Sequence, residues 1–220
     1  MDRAINLTFH GVGNPGRPLD PGESDVWVSC EHFLSLLDSV TDHAHVRLTF
    51  DDGNASDVEH VLPALRERGL KATFFVVAGR LETPHFLDAG GVDELAAAGM
   101  TIGCHGMRHR PWRGLDDRAL REEVLDAKAI LEGIIEHPIT QAACPFGSYD
   151  RRVLRGLRKS GYHHVFTSDR GMTRSRDFLQ ARNSIGPHDA AGVLEQIASL
   201  DSSVHRALPR RARLAVKRWR

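Results

Sequence analysis

Apolar residues occur along this chain in two kinds of block, which predict strands and helices respectively. The first kind is a short continuous run rich in β-branched and aromatic side chains, such as residues 71–77, and it predicts a buried strand. The second kind repeats every three or four residues, as in residues 116–136, and it predicts an amphipathic helix. Because the two kinds alternate throughout, the pattern is typical of a mainly parallel α/β fold.

The predicted elements form about seven strand–helix units. The strands are expected at residues 4–9, 45–50, 71–77, 100–103, 139–144, 163–167 and 178–183. The helices are expected to begin near residue 30 with Ser29 as cap, to lie between residues 53 and 69, and to cover residues 92–98, 116–136, 150–160 and 190–200. This number of units favours a barrel over an open sheet, and we expect one domain over residues 1–203.

The candidate functional residues stand at or just after the predicted strand ends. They are His10, Asp51, Asp52, His105, Pro145, Phe146 and Arg182. In parallel barrels the functional groups lie beyond the C-terminal ends of the strands. The sequence therefore predicts one site at that end of the barrel.

Two adjacent carboxylates, Asp51 and Asp52, follow the second predicted strand and precede Gly53. Two negative charges side by side are costly unless a cation lies between them or one carboxyl is protonated. The alternative is an ordinary turn, which Asp and Gly favour. Since side chains alternate along a strand, both can face one way only if the strand has ended, so one carboxylate could hold a metal while the other faces a substrate.

His105 and His109 are four residues apart, and one helical turn would put both imidazoles on the same face. Pro111 limits this to a single turn within a loop. Alone the pair is a weak signal, because one histidine could be at the surface and the other in the core. Together with a carboxylate, the pair makes a three-ligand set that leaves metal positions open, as catalytic sites require and structural zinc sites do not.

Composition describes a globular protein without an obvious nucleic-acid partner. The chain has 220 residues, with 41% hydrophobic and 26% charged residues, and equal counts of 29 basic and 29 acidic residues. Zero net charge gives no case for nucleic acid. No apolar run is long enough to span a membrane, and no secretory signal is seen at the N-terminus. Three widely spaced cysteines argue against a disulfide framework, so the expected location is the cytoplasm.

The C-terminal residues 204–220 are expected to form a basic tail or helix apart from the barrel. Residues 206–220 contain seven basic residues and no acidic one. Such a segment could lie on the barrel, contact an anionic membrane surface or bind a phosphorylated substrate. A solvated or disordered tail is the alternative.

Three segments carry motifs that together resemble one known family. Residues 49–53 read Thr-Phe-Asp-Asp-Gly, residues 105–109 hold the histidine pair, and residues 144–150 read Cys-Pro-Phe-Gly-Ser-Tyr-Asp. These motifs resemble, in order and spacing, those of the polysaccharide deacetylase (NodB-homology) family of carbohydrate esterases. Gly106 stands where the second motif usually has Ser or Thr. The likeness extends from about residue 6 to residue 200 and includes the strand at residues 71–76, between the first two motifs, and residues 99–103, which lead into the histidines.

The resemblance implies an α/β fold, a distorted (β/α)7 TIM-like barrel in a single domain, that removes N-acetyl groups from an amino sugar or glycan. By motif position, Asp51 would be the base acting on a metal-activated water, and Asp52 and the histidine pair would bind the divalent metal ion. Zinc is the first expectation, although the same ligands suit iron, cobalt or nickel. Pro145 and Phe146 would form the substrate side, with the Phe146 N–H holding the oxyanion.

Two departures from the family pattern concern the groups around the base. An Arg that orients the base is usual two positions before the motif proline, but this position is Ala143, so Arg182 is the candidate to supply the charge; an ordinary ion pair is the alternative. The family's last motif, Leu-x-His, supplies the acid that protonates the leaving amine. His188 is the nearest candidate, although its spacing differs and it could be a loop histidine; His10 is the other.

The absence of an export signal points to a substrate inside the cell, where the family's usual cell-wall polymers do not occur. The expected substrates are then a nucleotide-linked, lipid-linked or small N-acetyl sugar, or a glycan. Two alternatives remain: a hydrolase of another amide, such as a formyl group or a cyclic imide, and a non-catalytic carbohydrate-binding barrel. The second alternative leaves Asp51 unexplained, because a binding protein needs no base.

Overall fold

A computed structural model describes residues 3–189, 192–202 and 217 of the chain. Its centre is a closed barrel of seven parallel strands, which confirms the predicted fold class. In chain order the strands are β1 (Arg3–Phe9), β2 (Val46–Asp52), β3 (Ala72–Val76), β4 (Thr101–Cys104), β5 (Gln141–Ala143), β6 (His164–Thr167) and β7 (Leu179–Ser184).

The first and last strands close the barrel against each other. Strand β1 pairs in parallel with β2, where Thr8 lies opposite Thr49, and with β7, where Asn6 lies opposite Arg182. Two short additions lie outside this ring: Gly11–Val12 pairs with Trp27–Val28, and Thr173–Arg174 runs antiparallel to the start of β1. Closure brings the ends of β2 and β7, far apart in sequence, to the same rim.

Helices surround the barrel in the order that the sequence predicts. They are α1 (Cys30–Val40), α2 (Leu62–Glu67), α3 (Ala89–Ala97), α4 (Asp117–Arg121), α5 (Ala127–Ile135), α6 (Arg151–Lys159) and α7 (Val193–Ser202). Short 3-10 turns cover Glu23–Asp25, Ala78–Arg80 and Pro145–Gly147. Ser29 caps α1 as expected, accepting a hydrogen bond from the His32 N–H. None of the helices in the described part of the chain is long and apolar enough to cross a membrane.

Two π-helical segments interrupt the helical layer. Asp57–Val61 precedes α2, and Glu122–Asp126 joins α4 to α5. The single helix expected at residues 116–136 is therefore split into three parts. A π-helical turn contains more residues per turn than an α-helical one, so it changes which side chains face inward.

Hydrophobic packing lies mainly outside the barrel strands, between sheet and helices. Phe9, Phe33, Phe50 and Phe74 form a run of contacting rings there, all with 0–1% exposure. Inside the barrel the side chains are largely polar, and only a small cluster of Phe75, Ala143 and Phe166 is apolar. The polar interior includes Thr8 and Thr49, whose hydroxyl oxygens are 2.9 Å apart. The barrel thus has an interior suited to hold charged groups beneath its mouth.

The predicted C-terminal tail, residues 204–220, lies outside the described residues apart from Lys217. The Lys217 ammonium is 2.8 Å from Asp169 Oδ1 and lies over the Tyr149 ring at 4.3 Å. A contact of this one residue with the barrel is therefore present. The predicted division of the chain at residue 203 stays a prediction.

Candidate active site

A cavity of about 620 Å³ opens at the C-terminal ends of the barrel strands. Its lining contains His10, Asp51, Asp52, His105, His109 and Phe146, together with residues of the loop between β1 and α1. Strand-end residues predicted from widely separated parts of the sequence therefore meet in one place. A cavity of this size at this end of a parallel barrel is the expected position for a ligand site.

The two adjacent carboxylates both face this cavity, although they lie on one strand. The backbone of Asp52 has φ of 80°, in the left-handed region, which breaks the alternation of side chains at the end of β2. As a result, Asp51 Oδ2 and Asp52 Oδ1 lie 3.6 and 3.7 Å from the same atom, His105 Nε2. Both carboxylates are 3% exposed. Strand β2, predicted to end at residue 50, continues through Asp52, so the expectation that both carboxylates can face one way only after the strand has ended is wrong.

His109 also points at Asp52, with its Nε2 3.1 Å from Asp52 Oδ1. Ligand atoms of Asp52, His105 and His109 all lie within 4.8 Å of one another. The predicted helical turn between the histidines is wrong: the segment is irregular, with φ of 88° at Gly106 and 48° at His109. These two left-handed residues, rather than helical spacing, bring the imidazoles together, with ring centroids 5.1 Å apart.

The hydrogen bond made by His105 defines how its ring is used. Its Nδ1 lies 2.9 Å from the backbone oxygen of Ala143, so the Nδ1–H donates to that carbonyl and the Nε2 lone pair faces the carboxylates. Burial lowers the pKa of His105 to about 4, even though Asp51 and Asp52 act to raise it. Burial likewise lowers the pKa of His109. Both imidazoles are therefore neutral at neutral pH, which is the form that ligates metals.

These residues fit a divalent metal ion. Two neutral imidazole nitrogens and one carboxylate oxygen are a common ligand set for Zn²⁺ and related ions. Asp52 Oδ1 is buried and has no hydrogen-bond partner among the described residues, although two imidazole nitrogens lie near it. A buried carboxylate oxygen without a partner is costly, and an ion at this point would satisfy it.

Arg182 binds Asp51 through two parallel hydrogen bonds. Its Nη1 and Nη2 are 2.5 and 2.6 Å from the two carboxylate oxygens, and its guanidinium lies 5.1 Å above the Phe75 ring. Both partners are buried, with 2% and 3% exposure. Burial acts to raise the pKa of Asp51, but the charge of Arg182, aided by His105, outweighs it and holds that pKa well below its usual range. Ala143 lies in the cluster with Phe75 and Phe166, beside this guanidinium.

Pro145 and Phe146 form a tight turn at the rim. The turn is held by the amides of Gly147 and Ser148, which donate to the carbonyls of Cys144 and Pro145. Phe146 has φ of 56° and is 66% exposed, and its ring centroid lies 4.7 Å from that of His109. A large apolar side chain at a cavity mouth offers a surface for a ligand, and its strained backbone is a further sign of a functional position.

The two candidate acids lie in different places. His10 lines the cavity, and its Nδ1 is buried without a hydrogen-bond partner among the described residues. His188 is exposed and is not among the residues that line the cavity. The structure brings His10, but not His188, together with the other candidate residues.

Sequence reasoning missed the part of the site that comes from the loop before α1. Glu23 in this loop forms a largely buried pair with Arg17 at 2.5 Å, and Asp20 lies 3.2 Å from Arg80 Nη2. Arg80 itself reaches to 3.9 Å from Asp52 Oδ1. Arg80 ends the 3-10 turn that follows β3, so the rule that the loops after strand ends carry the site could have found it. Asp20 and Glu23 lie in a Gly- and Pro-rich loop that gave no such signal.

A closed (β/α)7 barrel with an Asp–His–His cluster at its mouth defines the general class, and comparison with known proteins gives the family. Residues 38–165 match the family described as polysaccharide deacetylase, so the chain belongs to this family. YxkH of Bacillus subtilis (strain 168) is 30% identical over 132 residues, 60% of this chain and 47% of YxkH. A chitooligosaccharide deacetylase of Rhizobium leguminosarum bv. trifolii is 27% identical over 129 residues, 58% of each chain.

The fold also matches solved structures over most of the chain. The Streptococcus pyogenes deacetylase PplD, solved in complex with acetate, has a TM-score of 0.78 at 20% identity, over 89% of this chain and 97% of that one. Against the curated sequences the match is shorter, and the chain spans about half the length of those relatives. Fold and family membership are thereby established.

Proposed function

We propose that this protein is a metal-dependent hydrolase that removes N-acetyl groups from an amino sugar or a glycan. The observation that carries the proposal is the meeting of a three-ligand set, Asp52, His105 and His109, with a separate ionised carboxylate, Asp51, in one cavity. Membership of the polysaccharide deacetylase family supports it, as does the name of the Rhizobium relative, a chitooligosaccharide deacetylase.

Asp52, His105 and His109 would hold the ion, for which zinc is the first candidate, with iron, cobalt and nickel also suited to the ligands. A divalent ion in this position supplies Lewis-acid stabilisation of negative charge on oxygen and makes a bound water easier to deprotonate. The donation from His105 Nδ1–H to the Ala143 carbonyl fixes the ring so that Nε2 faces the two carboxylates, where it would ligate the ion.

Asp51 acts as the general base. Its carboxylate takes a proton from the water that attacks the acetamide carbon. Arg182 lowers the pKa of Asp51 and fixes both of its oxygens, so Asp51 is ionised and can accept a proton at neutral pH. The arginine reaches the base from β7, and thereby serves the role of the Arg that the family pattern would place at Ala143.

The remaining chain groups complete the reaction. The Phe146 N–H, in the tight turn at the cavity rim, donates to the oxygen that becomes negative when the carbonyl is attacked. His10 protonates the sugar nitrogen as the C–N bond breaks, so that acetate and the free amine leave. His188 is the second candidate for this proton donor; its exposed position gives it less support.

The substrate is proposed as an N-acetylated sugar, which a nucleotide, a lipid or a longer glycan could carry. The cavity of about 620 Å³ accommodates one or two sugar rings by volume, and the exposed Phe146 ring offers a face on which a pyranose can stack. A location in the cytoplasm and a membrane contact through the basic tail stay predictions. We expect no nucleic-acid substrate.

Acetate release from a panel of N-acetyl sugars, nucleotide sugars, lipid-linked sugars and chitooligosaccharides tests the proposal. The protein should release acetate from at least one class, and Asp51→Asn should reduce turnover at least a hundredfold while metal content is unchanged. Asp38→Asn, which removes an exposed carboxylate that does not line the cavity, is the matched control. If the protein releases formate or opens a cyclic imide, and releases no acetate, its substrate is a different amide. Binding of glycan without any hydrolysis by the metal-loaded protein would make it a binding barrel.

A further inference from the structure

A fully buried carboxylate outside the proposed catalytic set, Glu123, contacts the segment that carries the two histidines. Glu123 is 0% exposed and lies in the π-helical segment Glu122–Asp126. Its Oε2 accepts hydrogen bonds from the Met107 N–H at 2.8 Å and the Trp112 Nε1–H at 3.4 Å. Its Oε1 accepts from Arg110 Nε at 2.7 Å, and the Arg108 N–H is 3.3 Å from both oxygens.

Every one of these partners is a donor, and every one lies between residues 107 and 112. Only an ionised carboxylate, which accepts and does not donate, can satisfy them all. Glutamine has nearly the same shape, but its NH₂ group would face an N–H at one of the two positions. The segment therefore requires the charge as well as the size of this side chain.

The backbone next to His105 is fitted to the same carboxylate. A Cβ on Gly106 would lie 2.3 Å from Glu123 Oε2 and 3.1 Å from Trp112 Nε1. Gly106 also has φ of 88°, which a side chain disfavours. Glycine in place of the Ser or Thr usual at this position is thus explained by the carboxylate: a side chain here and Glu123 in its present position exclude each other.

The π-helical segment directs two adjacent acidic side chains, Glu122 and Glu123, to different surroundings. Glu123 faces inward, whereas Glu122 is only half-buried and pairs with Arg108 Nε at 2.8 Å and Arg110 Nη2 at 2.9 Å. Insertion of a π-helical turn is one way in which a helix turns a polar side chain toward a site. The irregular segment from Gly106 to Arg110 belongs to no helix or strand, and Glu123 supplies acceptors for two of its amides.

We propose that Glu123 is a positioning residue that holds the segment between His105 and His109 in its metal-binding conformation before the ion binds. This inference rests on the proposed function only in that it needs the Asp–His–His cluster to bind a metal. Glu123 itself would touch neither metal nor substrate. It would maintain the left-handed conformation of His109, φ 48°, which no hydrogen bonds of a helix or strand maintain.

Metal affinity of the full chain tests the inference, with Zn²⁺ as the probe. The protein is freed of metal by a chelator and titrated calorimetrically, in wild-type form and as Glu123→Gln and Glu122→Gln. The two variants remove one negative charge from neighbouring positions, so their long-range electrostatic effects are matched. We expect Glu123→Gln to raise the Kd at least tenfold and Glu122→Gln to change it less than threefold. Glu123→Asp, which keeps the charge, should recover part of the loss.

Equal Kd values for Glu123→Gln and Glu122→Gln, with circular dichroism showing both to be folded, would overturn the inference. Should Glu123→Gln not fold, hydrogen exchange in the metal-free wild-type protein decides. The Met107 and Arg108 amides should be protected as strongly as amides of the barrel strands, and exchange at the rate of an open loop would refute the preformed segment. A wild-type protein that binds zinc tightly but deacetylates nothing would contradict the proposed function and leave this inference standing.

Discussion

Replacing Arg182 by methionine removes the guanidinium from Asp51 while it keeps a long side chain beside the Phe75 and Phe166 rings. The pair is fully buried, and breaking such a pair by removing one partner costs about 3–5 kcal/mol if the remaining charge stays unpaired. Asp51 can avoid part of this cost by binding a proton. Burial acts to raise the pKa of Asp51, and without the positive charge of Arg182 this effect is no longer outweighed, so the pKa of Asp51 rises.

The expected effect on rate follows from the sign of that change. A general base works in its deprotonated form, so a raised pKa moves the acidic limb of the profile of kcat/KM against pH to higher pH. In the wild-type protein Asp51 should set no limb above about pH 4, because its pKa is held below the ordinary carboxyl value. At neutral pH, Arg182→Met should lose between about tenfold and a thousandfold in kcat/KM, which is no more than the usual contribution of a general base.

The assay is acetate release from the best substrate of the panel between pH 4 and pH 9. The double variant Arg182→Met, Ala143→Arg is the rescue, because Ala143 packs in the same small cluster beside the guanidinium and the family pattern has an Arg there. Partial recovery of kcat/KM and of the acidic limb would establish that a charge beside Asp51 is what matters. A single variant with wild-type kcat/KM and an unmoved limb would refute the assigned function of Arg182.

The same pair predicts how folding stability depends on pH. The pKa of Asp51 is lower in the folded protein than the ordinary value of about 3.9, so the pair stabilises the fold above that pH and the contribution is lost as pH falls further. Arg182→Met should therefore unfold at a higher pH during acid titration than wild type, as followed by circular dichroism. Arg68→Met, which breaks exposed ion pairs only, is the control and should leave the acid midpoint unchanged.

Three further outcomes are expected. Chelator treatment should abolish acetate release and added Zn²⁺ should restore it, whereas His109→Ala should require at least tenfold more Zn²⁺ for the same recovery. His10→Ala should remove the alkaline limb of the pH–rate profile and His188→Ala should leave it; the reverse result would exchange their assignments. Phe146→Ala should raise KM about threefold to tenfold with an unchanged Tm, because its ring is 66% exposed; an unchanged KM for every substrate would exclude ring stacking.

The sequence was sufficient for the fold because short strand-like runs alternate with amphipathic helices along most of the chain, although β6 leads to β7 without a helix between them. It also predicted which residues meet, because the C-terminal ends of parallel strands share one rim. The contact between Arg182 and Asp51 could be proposed from this rule. Its two-bond geometry could not, because it depends on the register in which β1 joins β2 to β7.

Local backbone geometry is where sequence reasoning failed. A spacing of four residues suggested a helical turn from His105 to His109, but the segment is held from outside by Glu123 instead of by its own hydrogen bonds. Glu123 lies beside Val124, on the face of the predicted helix that was expected to be apolar. The helical period of 3.6 residues does not indicate the π-helical turn that directs the Glu123 side chain inward. The left-handed backbone of Asp52 was likewise not predictable, since aspartate rarely adopts it without a specific need.

Closure of the barrel has a consequence for how activity is acquired during folding. Asp51 and Arg182 are 131 residues apart, and the pairing of Asn6 with Arg182 spans nearly the whole domain. Contacts of such long range form slowly, and during synthesis they must wait until Arg182 has left the ribosome. A partly folded chain can possess most of its helices while its proposed base lacks a partner. Recovery of activity on refolding should thus lag behind recovery of the helical circular-dichroism signal. The rate at which activity returns would then measure how fast the first strand pairs with the last.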